Sequence, residues 1–266
     1  MAYISESSNS PLKPLNWYKN LTSKRGRIDA GAFLIEGNKA IRQIAENHPS
    51  EVIEIITAES PVIDFGNHPV RVVTEKQFNS ISHVKTPQGM MAVLHLSEAI
   101  YTDELPETIG SKVLLLENIQ DPGNVGTILR TAVAFGFDGV ILTEKCADPL
   151  SPKCVQSTAG SVLSLWIRIT NNYLKLAGEL KQRDYSLVVA DVNGTDDVRS
   201  LSSDNRLVLS LCNESSGPSK VLTNMADHIV GIPIDRPKAE SLNVAVCGAI
   251  CMYLSATRLE DSATDL

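Results

Sequence analysis

The sequence reads Val113-Leu114-Leu115-Leu116-Glu117-Asn118-Ile119-Gln120-Asp121-Pro122-Gly123-Asn124-Val125-Gly126 near the middle of the chain. Its first four residues are continuously apolar, which is typical of a strand buried on both faces of a parallel sheet. Pro122 and Gly123 predict a turn, and Asn124 is the predicted N-cap of a helix over residues 125–135. A buried strand that leads at once into a helix predicts an α/β fold.

The same alternation continues through the second half of the chain. Apolar periodicity predicts strands at residues 139–142, 162–169, 185–190, 207–211 and 229–232. It predicts helices at residues 153–158, 173–182, 219–225 and 241–257. We therefore expect one domain over residues 112–258, with a mostly parallel sheet between layers of helix.

The first half predicts a second, smaller α/β domain over residues 15–104. A helix is predicted at residues 36–46, strands at 52–57, 70–73 and 91–96, and a short helix capped by Thr74. A turn-rich linker at residues 105–111 separates this domain from the next. Residues 1–14 predict a flexible N-terminus and residues 259–266 an acidic tail.

Composition narrows the class of protein. The chain has 266 residues, of which 43% are hydrophobic and 21% charged, as in ordinary globular domains. Its longest nearly continuous apolar stretch, residues 242–254, is shorter than the roughly 20 residues that span a bilayer, and no signal-peptide run opens the chain. The five cysteines form no C-x-x-C pair, so we expect no metal site, and Cys247 and Cys251 are predicted core fillers. These features predict a cytoplasmic protein without membrane contact.

Charge is distributed unevenly along the chain. The formal net charge is −7, yet residues 12–28 contain five bases and no acid: Lys13, Lys19, Lys24, Arg25 and Arg27. This basic segment either holds a phosphate backbone or keeps a terminal segment in solution. Aromatic residues are only 5%, which argues against an array of stacking platforms for single strands.

Three stretches of the second half carry residue types that bind or react. The first, Leu116 to Gly126, is followed by Arg130, whose side chain either reaches a nucleotide phosphate or is a solvated surface group. The second, residues 151–161, places small hydroxyl residues and Gly160 at a helix-to-strand junction, where Gly160 permits close approach or simply ends a helix. The third, residues 207–254, offers a carboxylate, an amide and a hydroxyl near two strand ends, where parallel sheets bind ligands. No dinucleotide fingerprint, P-loop or hydrolase elbow is present.

Together these stretches resemble, in order and spacing, the SpoU (TrmH-type) ribose methyltransferases of the SPOUT class. The first motif is Asn124-Val125-Gly126 with Arg130, the second is Ser157-Thr158-Ala159-Gly160, and the third combines Asn213-Glu214, Gly217, Ile232-Pro233 and Ser241-Leu242-Asn243-Val244. Residues 24–37 resemble the small ribosomal-protein-like RNA-binding domain often joined to this family.

The resemblance implies an α/β-knot fold, with a deep trefoil knot near the C-terminus, and a homodimer. It implies S-adenosylmethionine as cofactor and methyl transfer to a ribose 2′-hydroxyl of ribosomal or transfer RNA. The implied catalytic residues are Arg130, Asn124, Glu214 and Asn243. The implied cofactor-binding residues are Leu211, Cys212, Asn213, Gly217, Ile232, Pro233, Ser241 and Leu242, and the RNA-binding residues are Lys24, Arg25 and Arg27.

Specific roles follow for the implied catalytic residues. A guanidinium is a poor base, so Arg130 is predicted to bind a phosphate and stabilise the developing alkoxide. Asn124 and Asn243 would orient the nucleotide or Arg130, and Glu214 would organise its loop or hold Arg130.

The sequence departs from the family at several positions. Cys212 and Ser215 stand where the family commonly has Gly, residues 234–240 lack the usual Gly, and Trp166 replaces a Pro. The Cβ atoms of Cys212 and Ser215 would narrow the adenosine-binding slot. The alternative is a non-catalytic RNA-binding or ribosome-assembly protein that retains the fold.

Overall fold

The computed structural model describes residues 13–58, 65–84, 86–158, 160–203 and 206–256. The chain divides into two compact units. The N-terminal unit comprises residues 1–98 and 148–163, and the C-terminal unit comprises residues 99–147 and 164–266. Most of the predicted flexible N-terminus and the whole predicted acidic tail lie outside the described residues.

The elements alternate along the chain much as the periodicity predicts. The helices are α1 (Leu15–Asn20), α2 (Lys24–Ala30), α3 (Asn38–Asn47), α4 (Glu75–Ile81), α5 (Pro122–Ala134), α6 (Pro152–Thr158), α7 (Tyr173–Lys181), α8 (Lys220–Met225) and α9 (Val244–Ala256). The strands are β1 (Ala32–Glu36), β2 (Val52–Thr57), β3 (Val70–Val72), β4 (Met90–His95), β5 (Lys112–Glu117), β6 (Gly139–Leu142), β7 (Trp166–Ile169), β8 (Ser186–Ala190), β9 (Asp196–Asp197), β10 (Leu207–Cys212) and β11 (His228–Gly231). Short 3-10 turns lie at Pro49–Glu51, Glu98–Tyr101, Ser161–Ser164 and Val198–Ser203.

The N-terminal unit contains a mixed sheet with strand order β1-β4-β2-β3 among its described residues. β4 pairs antiparallel with β1 and β2, whereas β2 and β3 are parallel. Tyr18, Phe78 and Ile81 pack from the helices against Met91 and Val93 of the sheet. The predicted cap of α4 is confirmed, because Thr74 Oγ1 accepts a hydrogen bond from the Gln77 N–H.

The prediction of a helix from Glu36 is wrong at its start. Glu36 closes strand β1, where it pairs with Met91 of β4, and the helix begins only at Asn38. Gly37 separates the two elements with a φ of 122°, a conformation that side-chain-bearing residues rarely adopt.

The C-terminal unit contains a parallel sheet with strand order β7-β6-β5-β10-β8-β11-β9. Every strand pair in its described part is parallel, which confirms the predicted mostly parallel sheet. The core between sheet and helices is aliphatic: Val113, Leu115, Ile141, Leu176, Leu187 and Val208 are all fully buried. β10 lies between β5 and β8, so the first motif, which follows β5, and the third motif, which begins after β10, come after neighbouring strands.

Two helix starts and one strand differ from prediction. Asp121, not Asn124, is the N-cap of α5, because its carboxylate accepts from the Asn124 N–H at 2.8 Å and Pro122 occupies the first turn. The last helix begins at Val244 rather than at residue 241, and Asn243 Oδ1 accepts from the N–H groups of Ala245 and Val246. Residues 162–164, the start of a predicted strand, lie instead in a 3-10 turn over Ser161–Ser164, and the strand begins at Trp166.

Candidate active site

A cleft opens at the carboxyl ends of three neighbouring parallel strands of the C-terminal unit, β10, β8 and β11. Residues just after each strand form its walls, together with the start of α9. The lining residues are Ala190, Asp191, Val192, Leu211, Cys212, Asn213, Glu214, Gly217, Pro218, Val230, Ile232, Ile234, Ser241, Leu242, Val244 and Cys247. This is the edge at which parallel sheets bind ligands, and the lining is mostly apolar.

Three residues from the first and third motifs meet beside the cleft. Asn124 Nδ2 donates to Glu214 Oε1 at 3.4 Å, and Asn243 Nδ2 donates to Asn124 Oδ1 at 3.1 Å. Glu214 Oε1 also accepts from the backbone N–H of Val244 at 3.0 Å. This amide–carboxylate network, formed by Asn124, Glu214 and Asn243, ties α5 to the loop after β10 and to the start of α9.

The loop over residues 213–219 is fixed at both ends by Glu117, a buried carboxylate at the end of β5. The Glu117 carbonyl accepts from the Asn213 N–H at 3.1 Å, and its Oε2 accepts from the Ser219 N–H at 2.8 Å. Tyr173 Oη donates to Oε1 at 2.5 Å. Burial and this hydrogen bond raise the pKa of Tyr173, so its hydroxyl stays a donor. Gly217 adopts a left-handed φ of 61° within the loop.

Thiols line part of the cleft. Cys212 is buried against Glu117, and burial followed by the Glu117 charge raises the pKa of its thiol. Cys251 is buried in the core as predicted, but Cys247 is half-exposed and lines the cleft, so the prediction of Cys247 as a core filler is wrong. The hydrogen bond between the two thiols lowers the pKa of Cys247.

Arg130 stands apart from this network. It lies on α5 with an exposed side chain, and it makes no hydrogen bond or ion pair with any residue that the structure describes. Glu214 therefore organises the loop and the start of α9, the first of its two predicted roles, and does not hold Arg130 in this structure.

The cleft gathers most of the predicted cofactor-binding residues: Leu211, Cys212, Asn213, Gly217, Ile232, Ser241 and Leu242 line it. Pro233 is not among the lining residues. Sequence reasoning missed Asp191 and Val192, although they follow a predicted strand in the same way as Cys212 and Asn213. The rule that ligands bind at strand ends would have found them if it had been applied to β8.

The predicted RNA-binding residues divide into exposed and buried groups. Lys24 and Arg25 are exposed on α2, whereas Arg27 is 1% exposed. Arg27 Nη1 donates to the carbonyl oxygens of Leu21 and Thr22, and its Nη2 pairs with Asp148. Arg27 thus departs from the predicted role, because its charge is satisfied inside the N-terminal unit.

The described residues contain no group of three or more His, Cys, Asp or Glu side chains that could hold a metal ion. No helix among them is both long and apolar enough to cross a membrane.

Fold and site together define an α/β protein with a cleft at the carboxyl edge of its parallel sheet, the edge where such proteins bind ligands. The model of the SpoU rRNA methylase family matches residues 111–253, and the model of the MRM3-like substrate-binding domain matches residues 16–92. The chain belongs to the SpoU rRNA methylase family, which confirms the resemblance drawn from its motifs. The predicted class of enzyme, an RNA methyltransferase, is confirmed with it.

Relatives are similar over nearly the whole chain. The 23S rRNA (guanosine(2553)-2′-O)-methyltransferase RlmP of Bacillus subtilis is 30% identical over 256 residues, which cover 95% of this chain and 98% of that protein. The AdoMet-bound rRNA methyltransferase of Sinorhizobium meliloti is 26% identical with a TM-score of 0.76, covering 95% and 97% of the two chains. AviRb from Streptomyces viridochromogenes, solved with AdoMet, has a TM-score of 0.81 at 23% identity, covering 94% and 99%. AdoMet, the cofactor predicted from the motifs, is bound in both of these solved structures.

Proposed function

We propose that this protein transfers a methyl group from S-adenosylmethionine to a ribose 2′-hydroxyl of ribosomal or transfer RNA. The observation that carries the proposal is the amide–carboxylate network, in which residues of two distant motifs meet beside a cleft at three strand ends. In a chain of the SpoU family, that convergence supports an intact catalytic site rather than a fold retained for binding alone.

The cleft suits the cofactor in shape and chemistry. Leu211, Ile232 and Leu242 offer apolar walls for an adenine ring, and Asp191 and Asn213 offer polar groups for the ribose and the amino-acid part. A Cβ placed on Gly217 would lie 3.7 Å from Asp191 Oδ2, an ordinary contact, so the left-handed φ of 61° rather than lack of space favours glycine at this wall of the cleft. S-adenosylmethionine supplies a methyl group that its sulfonium has already activated.

The protein must therefore align the hydroxyl and help remove its proton. Arg130 is exposed and has no partner within the described part of the chain, so its guanidinium is available to an RNA phosphate. Held there, it stabilises the negative charge that develops on the 2′-oxygen, and the phosphate can take the proton. Asn124 and Asn243 keep the backbone around this position in place through their contact with each other.

A threaded chain and a homodimer complete the proposal. β10 is inserted between β5 and β8, and α9 lies against both the turn Val198–Ser203 and α5, an arrangement that supports the C-terminal trefoil knot implied by the family resemblance. Val246 and Tyr253 of α9 are 49% and 57% exposed, unusual values for large apolar residues on an apolar helix. A second copy of the chain that covers this face would remove both from water.

The substrate is proposed from the N-terminal unit and from the relatives. Lys24 and Arg25 are exposed on a unit that matches a substrate-binding domain, and RlmP is named for a nucleotide of 23S rRNA. We therefore place the reaction on ribosomal RNA in the cytoplasm, where the free cysteines of the described residues suit a reducing compartment.

The test compares Arg130→Ala with Arg183→Ala, an exposed arginine just before β8 at the opposite edge of the sheet. Incorporation of labelled methyl groups into ribosomal RNA should fall by about two orders of magnitude or more in Arg130→Ala and stay unchanged in Arg183→Ala. Ribose methylation is located by mass spectrometry of the RNA. Unchanged incorporation in Arg130→Ala contradicts the assigned role. Absence of calorimetric S-adenosylmethionine binding by the unmutated protein favours the non-catalytic RNA-binding alternative.

A further inference from the structure

A second cleft lies in the N-terminal unit, between helices α1 and α2. Its lining residues are Trp17, Asn20, Ser23, Arg25, Gly26, Asp29 and Ala30. It is more open to solvent than the cleft at the strand ends, and polar side chains and one indole ring share its lining. No motif of the SpoU family falls on Trp17, and the basic segment of residues 12–28 surrounds it.

The indole of Trp17 is placed to receive a flat ligand. Its ring is half-buried and packs edge-on against Tyr18, with ring centroids 5.1 Å apart and planes at 89°. The Lys13 ammonium lies 5.7 Å from the ring centroid, within the range of a cation–π interaction with the indole. A ring that is braced by a neighbouring ring and still partly exposed can take part in base stacking.

Positive charge surrounds the ring. The Arg25 side chain is 92% exposed and makes a loose 3.6 Å ion pair with Asp29 that water screens strongly. Lys19 and Lys24 are exposed on the same pair of helices. The Asp29 carboxylate and the Asn20 amide add hydrogen-bonding groups at the cleft, suited to a base edge or a 2′-hydroxyl.

The cleft is also rigid. A Cβ on Gly26 would lie 2.0 Å from the carbonyl oxygen of Asn20, so only glycine permits this close approach of α2 to the end of α1. The Ser23 hydroxyl caps α2 through the Gly26 N–H at 3.0 Å. Arg27 reaches back from α2 to the carbonyl oxygens of Leu21 and Thr22, and so fixes the turn between the helices.

We infer that this cleft binds one unpaired nucleotide of the RNA, with its base stacked on Trp17 and an adjoining phosphate on Arg25. The inference rests on the proposed function, since it assigns the place on the N-terminal unit where that RNA is recognised. Unpaired rather than duplex RNA is expected, because only a base free of its partner exposes a face to an indole.

The experiment uses the full chain and a short single-stranded ribo-oligonucleotide. Stacking should quench the fluorescence of Trp17 in proportion to binding, while Trp166 gives a constant background. The quench should disappear in Trp17→Phe, which keeps a weaker platform. In Trp17→Ala, RNA affinity by fluorescence anisotropy should fall about tenfold or more. Arg25→Ala should weaken RNA binding and reduce the slope of log affinity against log salt concentration by the equivalent of about one phosphate contact. Arg42 is an exposed arginine of α3, and Arg42→Ala should change neither quantity.

Two measurements separate this inference from the proposed function. S-adenosylhomocysteine binding by calorimetry and the far-ultraviolet circular dichroism of Trp17→Ala should equal those of the unmutated chain. RNA affinity and methylation that stay unchanged in Trp17→Ala, without quenching in the unmutated chain, would overturn the cleft assignment and leave the methyltransferase proposal standing. A chain that binds RNA with quenching but never methylates it would overturn the proposed function alone.

Discussion

Arg25 and Arg27 lie two positions apart on α2, yet their guanidinium groups meet different surroundings. Arg25 is almost fully in water, where its ion pair with Asp29 contributes little. Arg27 is enclosed and satisfies two backbone carbonyl oxygens and the Asp148 carboxylate. Residue type and spacing cannot show which of the two arginines is buried. The partner of the buried one, Asp148, lies 121 positions away in sequence from Arg27.

Replacing Arg27 with Met should destabilise the fold. It would leave Asp148 without its partner and two carbonyl oxygens without donors, at a cost of about 3 kcal/mol or more in the free energy of unfolding. Arg25→Met is the matched control and should change stability by less than about 0.5 kcal/mol. Urea unfolding followed by circular dichroism measures both, and equal midpoints for the two variants would contradict the structural role of Arg27.

At the scale of elements, the start of α9 is where stability and the site share a residue. Asn243 caps the helix through its Oδ1 and contacts Asn124 through its Nδ2. The two functions use different atoms of one amide, so a substitution can remove one and keep the other.

Asn243→Asp should retain the cap, since a carboxylate is at least as good an acceptor at a helix N-terminus. It loses the donor to Asn124 and brings negative charge towards Glu214, so methyl transfer should fall at least tenfold while stability is kept. Asn243→Ala should lose activity and also about 1 kcal/mol of stability. Equal activity in Asn243→Asp and the unmutated chain, measured by methyl incorporation, would show that the contact with Asn124 is dispensable.

Elements with strong local signals were predictable, and those fixed by distant partners were not. β2 and β6 have the bounds that their apolar runs predict, and Thr74 caps α4 as expected. Helices α1 and α2 gave no apolar period and escaped notice. The place of β10 between β5 and β8 depends on its pairing with β5 across nearly a hundred residues, which periodicity does not encode. The motifs therefore predicted candidate site residues, whereas only the strand order explains why Asn124 and Glu214 meet.

At the scale of the whole molecule, the chain combines a net charge of −7 with one basic segment and one exposed apolar helix face. Under the proposed function, the basic segment would supply local positive charge to an RNA backbone, and the negative charge of the rest of the chain would oppose non-specific RNA binding. The face of α9 that carries Val246 and Tyr253 is where a second copy would bury most apolar surface, because the Tyr253 ring already packs against Phe135, just after α5, with ring centroids 6.0 Å apart.

Val246→Asp combined with Tyr253→Asp should convert a dimer to a monomer, because charges cannot be buried unpaired in an apolar contact. Light scattering after gel filtration would give the mass. Val221→Asp provides the control, since Val221 of α8 is 54% exposed but lies off this face. A mass of two chains that persists in the double variant would place the dimer contact elsewhere.

The segment of residues 148–163 has a consequence for how this protein can be taken apart. It interrupts the sequence of the C-terminal unit yet belongs to the N-terminal unit. There Asp148 forms an ion pair with Arg27, and a Cβ placed on Gly160 would lie 3.4–3.5 Å from atoms of Ala40. Dividing the gene at residue 105 would thus leave both units incomplete. The N-terminal fragment would lack the Asp148 carboxylate that pairs with buried Arg27, and the C-terminal fragment would carry residues 148–163 without the unit they pack in. Recombination that preserves both units therefore has to transfer the two coding regions together.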